Sequence, residues 1–327
     1  MKRNPTSLDV ARAAGVSQAT VSRVFNNPGH VTVLSSTRER VLKAAAALGY
    51  RPNAAARSLV SGRTGMVGLC FANLHTAFYG RVFYEAQRVG RSYNYGVIIS
   101  DQTDKVLEGV DVAELVHWRV DGIIAFGVRT FSTRPPEETV PLVVVGTHIW
   151  QEGDFVDCDH YDGTRQAVHH LFERGCRRIG YMAPVAPGWE KTVRYVAYTE
   201  TMRQLGLEPV YLPLEKHSRD QAYDVTLRTA RESRLPDGIF CYNDEIALGV
   251  HSACYDLGIN MPRDLKLVGF DGIEETTYVR PRLTTVVQPV RKMAELAWEF
   301  LDRRIKHRSV PPQQMTLSTK LEIRETT

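Results

Sequence analysis

The chain has 327 residues, 43% of them hydrophobic, which is enough to build two or three compact units with real cores. The formal net charge is only +4, but residues 1–62 contain nine Lys or Arg against two acids, whereas the remainder has a small acidic excess. This segregation predicts that only the N-terminal segment meets a polyanion.

Cysteine usage and hydropathy exclude several other classes of protein. The five cysteines form no CxxC pair, which argues against a disulfide framework or a zinc ribbon. The N-terminus is polar and basic, and no segment approaches the roughly 20 apolar residues that a membrane span needs. We therefore expect a cytoplasmic protein that does not contact the membrane and uses no metal or cofactor.

The first 51 residues carry start and stop signals for three short helices. Ser7 can cap the first helix, and Gly15 can end it in the left-handed conformation. Ser17 can cap the second. The third is predicted to open with a capping box of Ser36 and Glu39. Its expected buried face consists of Val41, Leu42, Ala45 and Leu48.

The second helix, from Gln18 to Phe25, has an apolar stripe of Val21, Val24 and Phe25 and a polar opposite side. Helix, glycine turn, helix and supporting helix is the order of a helix-turn-helix that reads the major groove of DNA. Gln18 suits adenine and Arg23 suits guanine or phosphate. The predicted DNA contacts of this segment are Ser17, Gln18, Ala19, Thr20, Ser22, Arg23 and Asn26. A three-helix bundle used for protein contacts is the alternative.

Residues 50–62 predict a short helix that forms only on a supporting surface. Pro52 blocks continuation of the third helix and Asn53 can cap a new one of about two turns, too short to persist alone in water. A plain linker is the alternative, but an exposed Leu59 would gain nothing there.

Residues 66–327 alternate between apolar strand patterns and helical patterns, which indicates parallel sheets covered on both faces. The predicted strands are 66–71, 97–100, 122–126, 142–145, 178–182, 239–242, 266–270 and 315–323. Their number favours two lobes over one sheet.

Ligands of open α/β sheets bind at the carboxyl ends of strands, so Asn243 and Asp271, which follow predicted strands, are candidate contacts. Asp244 is interpreted as the cap of the next helix.

Several motifs resemble the signature of the lactose- and galactose-repressor family of transcription regulators. The similarity begins with Leu8-Asp9-Val10-Ala11 and Thr20-Val21-Ser22-Arg23-Val24. It continues in order through residues 48–59, 121–124, 175–180, 243–249, 268–271 and 281–286. The resemblance implies an all-α helix-turn-helix domain with a hinge helix and an α/β effector domain of two Rossmann-like, periplasmic-binding-protein-like lobes.

The resemblance also implies domain boundaries and partners. Residues 1–51 would read DNA, 52–65 would form the hinge and linker, and 66–327 would bind the effector and dimerise. The first lobe would span about 66–158 and 290–317, and the second about 159–288 and 318–327. A homodimer would bind a palindromic operator, with Leu59 wedged into the minor groove. Further implied DNA contacts are His30, Tyr50, Asn53, Ala56 and Arg57.

For the effector, the family pattern implies hydrogen bonds from residues matching Arg194, Asn243 and Asp271, a set that suits a sugar, polyol or sugar acid. Phe78 and Tyr79 match an aromatic stacking position, although an ordinary core role for Phe78 is equally open, as is a solvated role for Arg194. Gly146 stands where many relatives carry an acid, so His148 and Trp150 are expected to compensate. Trp189 and His217 are placed in cleft-facing loops.

Two other classes of protein have to be weighed. An extracytoplasmic sugar-binding protein would share the two-lobed body but would need no DNA-reading segment. A sugar-modifying enzyme would need a catalytic constellation, and the sequence holds no GxxxxGK[ST], GxSxG or HExxH motif. We therefore predict a regulator and not an enzyme.

Overall fold

The computed structural model describes residues 5–26, 33–51, 58, 62–103, 110–128, 131, 140–146, 153–185, 188–232 and 235–327. The chain divides into two compact units, Met1–Gly65 and Met66–Thr327. Within the described residues, no helix is both long enough and apolar enough to cross a bilayer.

The first unit contains three helices, α1 (Ser7–Ala14), α2 (Gln18–Asn26) and α3 (Ser35–Leu48). The N-cap of α1 is Thr6, not Ser7, because the Thr6 hydroxyl accepts from the Asp9 N–H while the Asp9 carboxylate accepts from the Thr6 N–H. Gly15 ends α1 with φ 63°, as predicted. The hydroxyl of Ser17 accepts from the Thr20 N–H at 3.1 Å, which confirms it as a cap of α2.

Helix α3 departs from the prediction at both its start and its buried face. It begins at Ser35 behind Leu34, which makes no side-chain cap, so the capping box predicted at Ser36 is wrong. Val41 and Ala45 are buried, but Leu42 and Leu48 are 43% and 40% exposed. In a three-helix unit this small, α1 and α2 cover only one narrow stripe of α3, and the two leucines lie outside it.

The first sheet of the second unit has six described strands in the order β11-β5-β4-β3-β1-β2, all parallel. These strands are β1 (Met66–Phe71), β2 (Gly96–Asp101), β3 (Gly122–Phe126), β4 (Leu142–Val145), β5 (Asp154–Cys158) and β11 (Gln314–Leu317). Helices on this lobe are α4 (Ala77–Gly90), α5 (Ala113–His117) and α10 (Val290–Lys306). The indole of Trp298 fastens α10 to α4 by donating to the Ala86 carbonyl at 2.7 Å.

The second sheet also has six described strands, in the order β12-β10-β9-β8-β6-β7, with only β12 antiparallel to its neighbour. These strands are β6 (Ile179–Pro184), β7 (Val210–Leu214), β8 (Gly238–Cys241), β9 (Lys266–Asp271), β10 (Thr284–Val287) and β12 (Lys320–Glu322). The helices of this lobe are α6 (His160–Glu173), α7 (Val193–Gln204), α8 (Arg219–Glu232) and α9 (Asp244–Asp256).

The chain passes between the sheets at three short crossovers: after β5 at Asp159, after β10 at residues 288–289, and between β11 and β12 at residues 318–319. The crossovers pack tightly. The Thr319 hydroxyl donates to the Asp159 carbonyl at 3.1 Å, and a Cβ at Gly163 would lie 2.5 Å from the Thr319 hydroxyl and 2.9 Å from Val286. Only glycine therefore fits at position 163.

Candidate functional sites

A cavity of about 330 Å³ lies between the two lobes of the second unit. Its walls are formed at the carboxyl ends of β1, β3, β4, β8 and β9, where ligands of open α/β sheets bind. The residues that line it include Asn73, Phe78, Tyr79, Gly127, Gly146, His160, Arg194, His217, Tyr242, Asn243, Asp271 and Gln288. Six of the predicted effector contacts are thus brought together: Phe78, Tyr79, Arg194, His217, Asn243 and Asp271.

Arg194, the second residue of α7, is the buried cation of the cleft. Its guanidinium donates to the Tyr242 carbonyl at 2.6 Å and lies 3.9 Å from the ring centroid of Phe270. The Nη2 atom lies 3.7 Å from Asp271 Oδ1. Its Nε is buried and has no hydrogen-bond partner within the part of the chain that the structure describes. A buried donor of this kind is costly unless a ligand or water accepts from it.

Asp271, the last residue of β9, is the buried acid of the cleft, and it adopts a positive φ of 113°, which residues other than glycine rarely do. Its Oδ1 accepts from the Gln288 side-chain amide at 2.7 Å. Burial raises the pKa of this carboxyl from 3.8 to about 7, although the charge of Arg194 and the Gln288 hydrogen bond both oppose the shift. The site therefore places a donor and a titratable acceptor side by side.

Asn243, and not Asp244, caps the helix that follows β8, and it lines the cavity as well. Asn243 is the N-cap of α9, because its Oδ1 accepts from the Ile246 N–H at 3.0 Å. Asp244 is not a cap: it is fully buried and accepts from the N–H groups of Gly272 and Ile273 and from the Thr285 hydroxyl. The prediction for Asp244 is wrong because a carboxylate can satisfy three donors from the β9 and β10 ends at once. Its bonds hold the loop that follows Asp271.

The aromatic wall comes from the N-terminal end of α4. Phe78 is buried in the core of its lobe, which confirms the core role, and it also lines the cavity, so the stacking role stays a prediction. Tyr79 lies against Gly127, where a Cβ would sit 1.9 Å from the Tyr79 hydroxyl. Burial raises the pKa of Tyr79 well above its usual range, which keeps the phenol protonated. Gly146 also lines the cavity and leaves that wall without an acid.

The remaining predicted cleft residues lie in three different situations. His217 is exposed at the rim, with its ring 4.9 Å from that of Tyr242. Trp189 is not among the residues that line the cavity; it packs on Tyr195 and Tyr211, because those rings offer it a larger apolar surface. His148 and Trp150 lie outside the described residues.

Two cleft residues were missed by sequence reasoning, His160 and Gln288. His160 opens α6 directly after the first crossover, and Gln288 follows β10 at the second. Their ring and amide lie 3.4 Å apart, between His160 Nε2 and Gln288 Oε1. A signal was available in the sequence, since both are polar residues that come within two residues of the end of an apolar segment, 155–158 and 284–287.

The lobes also touch directly beside the cavity. The Glu245 carboxylate on α9 accepts from the Ala77 N–H at the start of α4, and its other oxygen accepts from Arg219. From the opposite lobe, Arg81 donates to the Gly272 carbonyl at 2.8 Å. These contacts close one side of the cleft.

The first unit presents an exposed polar face on α2. Gln18, Ala19, Ser22 and Arg23 are exposed, whereas Val21 and Val24 are buried, as the helical stripe predicts. The Gln18 amide donates to the Ser7 hydroxyl at 2.9 Å, and the Ser17 and Thr20 hydroxyls lie 2.9 Å apart. Asn26 is the last residue of α2, and Tyr50 packs edge-on against Phe25. His30, Asn53, Ala56, Arg57 and Leu59 lie outside the described residues.

A helix-turn-helix unit followed by a two-lobed α/β unit with a polar cleft defines a class of DNA-binding transcription regulators. Residues 6–53 match the profile of the bacterial regulatory proteins of the lacI family, and residues 168–327 match a periplasmic binding protein-like domain. The chain is 32% identical to catabolite control protein A of Priestia megaterium over 99% of both chains. It belongs to the lacI family, whose members are regulators and not enzymes.

Solved structures extend the comparison to the fold. The lac repressor dimer bound to operator and the anti-inducer ONPF superposes with a TM-score of 0.84 at 24% identity, over 99% of both chains. A regulator from Alkaliphilus metalliredigens complexed with D-xylulofuranose has a TM-score of 0.71 at 26% identity and covers 80% of this chain and 99% of its own. The two units described above therefore have the architecture of this family.

Proposed function

We propose that this chain is a repressor of a metabolic operon that binds a palindromic operator as a homodimer and is controlled by a sugar-like effector in the interlobe cleft. The observation that carries the effector part is the pair Arg194 and Asp271. Two charged side chains, each with only 9% of its area exposed, lie 3.7 Å apart on a cavity wall. A polyol supplies both the acceptor that the Arg194 Nε lacks and a hydroxyl donor for Asp271.

DNA reading is assigned to residues 1–51, with α2 in the major groove. Gln18 meets an adenine edge, Arg23 meets a guanine or a phosphate, and Ala19 meets a thymine methyl. Ser17, Thr20, Ser22 and Asn26 bind phosphates and so position the unit on the duplex. Segment 52–65 is proposed as the hinge, with Leu59 as its wedge. His30, Tyr50, Asn53, Ala56 and Arg57 complete the proposed contacts.

The homodimer is proposed to form along the β2 edge of the first sheet. β2 is an edge strand, and Ile99 on it is 45% exposed, while Tyr84 on the adjoining helix α4 is 62% exposed. Large apolar side chains at a sheet edge favour burial against another surface. A second copy supplies that surface and gives the two α2 helices the symmetry that an inverted repeat requires.

The effector is proposed to be a sugar, polyol or sugar acid. The relative from Alkaliphilus metalliredigens holds a sugar. In this chain, Phe78 and Tyr79 offer an apolar face on which a sugar ring stacks. The effector contacts both lobes and thereby changes the angle of the first lobe within the dimer. That angle sets the spacing of the two hinge segments, and so whether they can pair on DNA. Because the coupling is reciprocal, effector and operator change each other's affinity by the same factor.

Two experiments test the proposal. Selection from a random DNA pool followed by a gel-shift assay is expected to return an inverted repeat whose binding weakens steeply with salt. A thermal-shift screen of sugars, polyols, sugar acids and nucleobases is expected to raise the melting temperature with a hydroxylated compound, and Asp271→Ala is expected to lose that shift while it keeps DNA binding. A chain that binds no duplex at low salt, or responds only to a nucleobase, contradicts the proposal.

A further inference from the structure

Four side chains of the cleft form one continuous line of polar contacts. Arg194 Nη2 lies 3.7 Å from Asp271 Oδ1, that oxygen accepts from Gln288 Nε2 at 2.7 Å, and Gln288 Oε1 lies 3.4 Å from His160 Nε2. Arg194, Asp271 and Gln288 are each less than a tenth exposed. The line runs from the floor of the cleft to the segments that join the lobes.

The direction of each hydrogen bond in this line follows from chemistry. The ionised Asp271 carboxylate only accepts, so the Gln288 amide must point its NH₂ group at Asp271 and its oxygen at His160. Two acceptors cannot face each other, so His160 must carry its proton on Nε2. Burial, followed by the charge of Arg194, lowers the pKa of His160 to about 3, so the ring is neutral near pH 7 and holds a single proton.

The far end of this line lies on the crossovers. His160 follows the first crossover residue, Asp159, and Gln288 is the first residue of the second crossover. The third crossover is tied to the first by the bond from Thr319 to Asp159. His160 also packs edge-on against Phe270, the residue before Asp271, with ring centroids 5.5 Å apart. A change in the hydrogen bonding of Asp271 is therefore transmitted to the first two crossovers through the side-chain amide of Gln288.

We propose that Gln288 and His160 are positioning residues that hold the ionised Asp271 carboxylate in place as an acceptor and transmit its hydrogen-bonding state to the crossovers. This inference rests on the proposed function, because it takes Asp271 as an effector contact. Gln288 occupies one carboxylate oxygen and leaves the other for a hydroxyl donor, so the effector is selected for a donor at this point. An effector group that displaces the Gln288 amide from Asp271 also breaks the contact between Gln288 and His160, the first residue of α6.

The test measures the proton on His160 in the full-length chain labelled with ¹⁵N-histidine. The variant His160→Asn assigns its resonances by their loss. We expect Nε2 to be protonated and Nδ1 unprotonated in the wild type above about pH 8, where Asp271 is ionised and His160 is neutral. Gln288→Leu removes the acceptor, and Asp271→Ala frees the amide to rotate. Both variants are expected to shift the ring toward a mixture of tautomers, although Asp271 does not contact His160.

Matched controls separate this coupling from general loosening. Gln204→Leu and Asp264→Ala change the same residue types at exposed positions of the same lobe and are expected to leave the His160 resonances unchanged. Urea unfolding confirms that each variant is folded. A proton on Nδ1 in the wild type, or His160 resonances that ignore Asp271→Ala in a folded protein, overturns the inference. If no saccharide raises the melting temperature in the thermal-shift screen, the proposed effector class is wrong. The tautomer of His160 still tests the coupling to Asp271 in that case.

Discussion

The carboxylate of Glu245, at the start of α9, accepts a hydrogen bond from the backbone N–H of Ala77, at the start of α4 in the opposite lobe, over 3.1 Å. The first turn of a helix has unpaired N–H groups and a partial positive charge, so an acid there is stabilising. Leu248 and Ile273 of the same lobe as Glu245 pack into the core of the lobe that contains α4. The two lobes are thus joined beside the cleft as well as through the crossovers.

Glu245→Ala is expected to loosen this junction. The variant loses a charge-assisted hydrogen bond and leaves Arg219 without its buried partner, so the free energy of unfolding should fall by about 1.5–3 kcal/mol. Urea unfolding measures the loss, and small-angle scattering should show a larger radius of gyration. Glu299→Ala, which removes an exposed pair with Arg303 in α10, is the control and should cost less than about 0.5 kcal/mol. Equal losses in the two variants would contradict the role of Glu245.

Asp271 makes stability depend on pH in a defined direction. Its pKa is about 7 in the folded chain, against an ordinary value of 3.8, so between these two pH values the folded state binds the proton more tightly. The contribution of Asp271 to the free energy of unfolding is therefore fully present below pH 3.8 and declines as the pH rises toward 7. The unfolding free energy of Asp271→Asn relative to the wild type should rise by up to about 1.4 kcal/mol per pH unit across that window. A constant difference from pH 4 to pH 7 would show that burial does not raise this pKa.

Gly163→Ala tests how closely the crossovers must approach. The new methyl would meet the Thr319 hydroxyl and Val286 at distances that real Cβ atoms do not adopt. We expect a loss of about 1–3 kcal/mol, the usual cost of overpacking, measured by urea unfolding. Gly80→Ala is the matched helical control, because nothing lies within 4 Å of a Cβ there. That change should stabilise α4 by about 0.5–1 kcal/mol. If Gly163→Ala and Gly80→Ala have equal free energies of unfolding, the crossovers do leave room for a Cβ at position 163.

The fold class and the strand positions were readable because parallel strands are short apolar runs whose ends are marked by Gly, Asp or Asn. β5, β7 and β10 were not among the predicted strands. β7 contains Pro213, which lowers any strand propensity, although edge strands tolerate proline. A single strand was expected over 315–323, with a lobe boundary at 317/318 implied only by the family resemblance, whereas β11 and β12 are separate strands of different sheets. No local pattern records that a chain changes sheets within two residues.

The site was only partly readable for a related reason. Arg194, Asn243 and Asp271 follow strand or loop signals and were found, but the task of each depends on partners distant in sequence. Asp244 lies next to a cap position, yet its three partners come from residues 272–285. His160 and Gln288 meet only because two crossovers run side by side. Sequence spacing sets which residues share an element, whereas packing of elements sets which side chains meet.

Variants of α2 should separate base reading from charge. Gln18→Ala is expected to cost about 1–3 kcal/mol on the selected duplex and to relax the preference at one base pair of each half-site. Arg23→Ala should also reduce the slope of log affinity against log salt by about 0.9 for each phosphate lost. Binding titrations at several salt concentrations measure both. Arg263→Ala, on an exposed turn of the second unit, is the control. If Gln18→Ala leaves every base preference intact, α2 does not read sequence in the way proposed.

The Asn243 amide is shared between two tasks, because its oxygen is committed to the first turn of α9. Only its NH₂ group is left to face the cavity. Asn243 and the guanidinium of Arg194 therefore supply donors, whereas the carboxylate of Asp271 supplies an acceptor. For the proposed sugar effector, donors from Arg194 and Asn243 and an acceptor from Asp271 would distinguish the handedness of adjacent hydroxyl groups. Epimers of equal size and polarity should therefore bind this chain unequally.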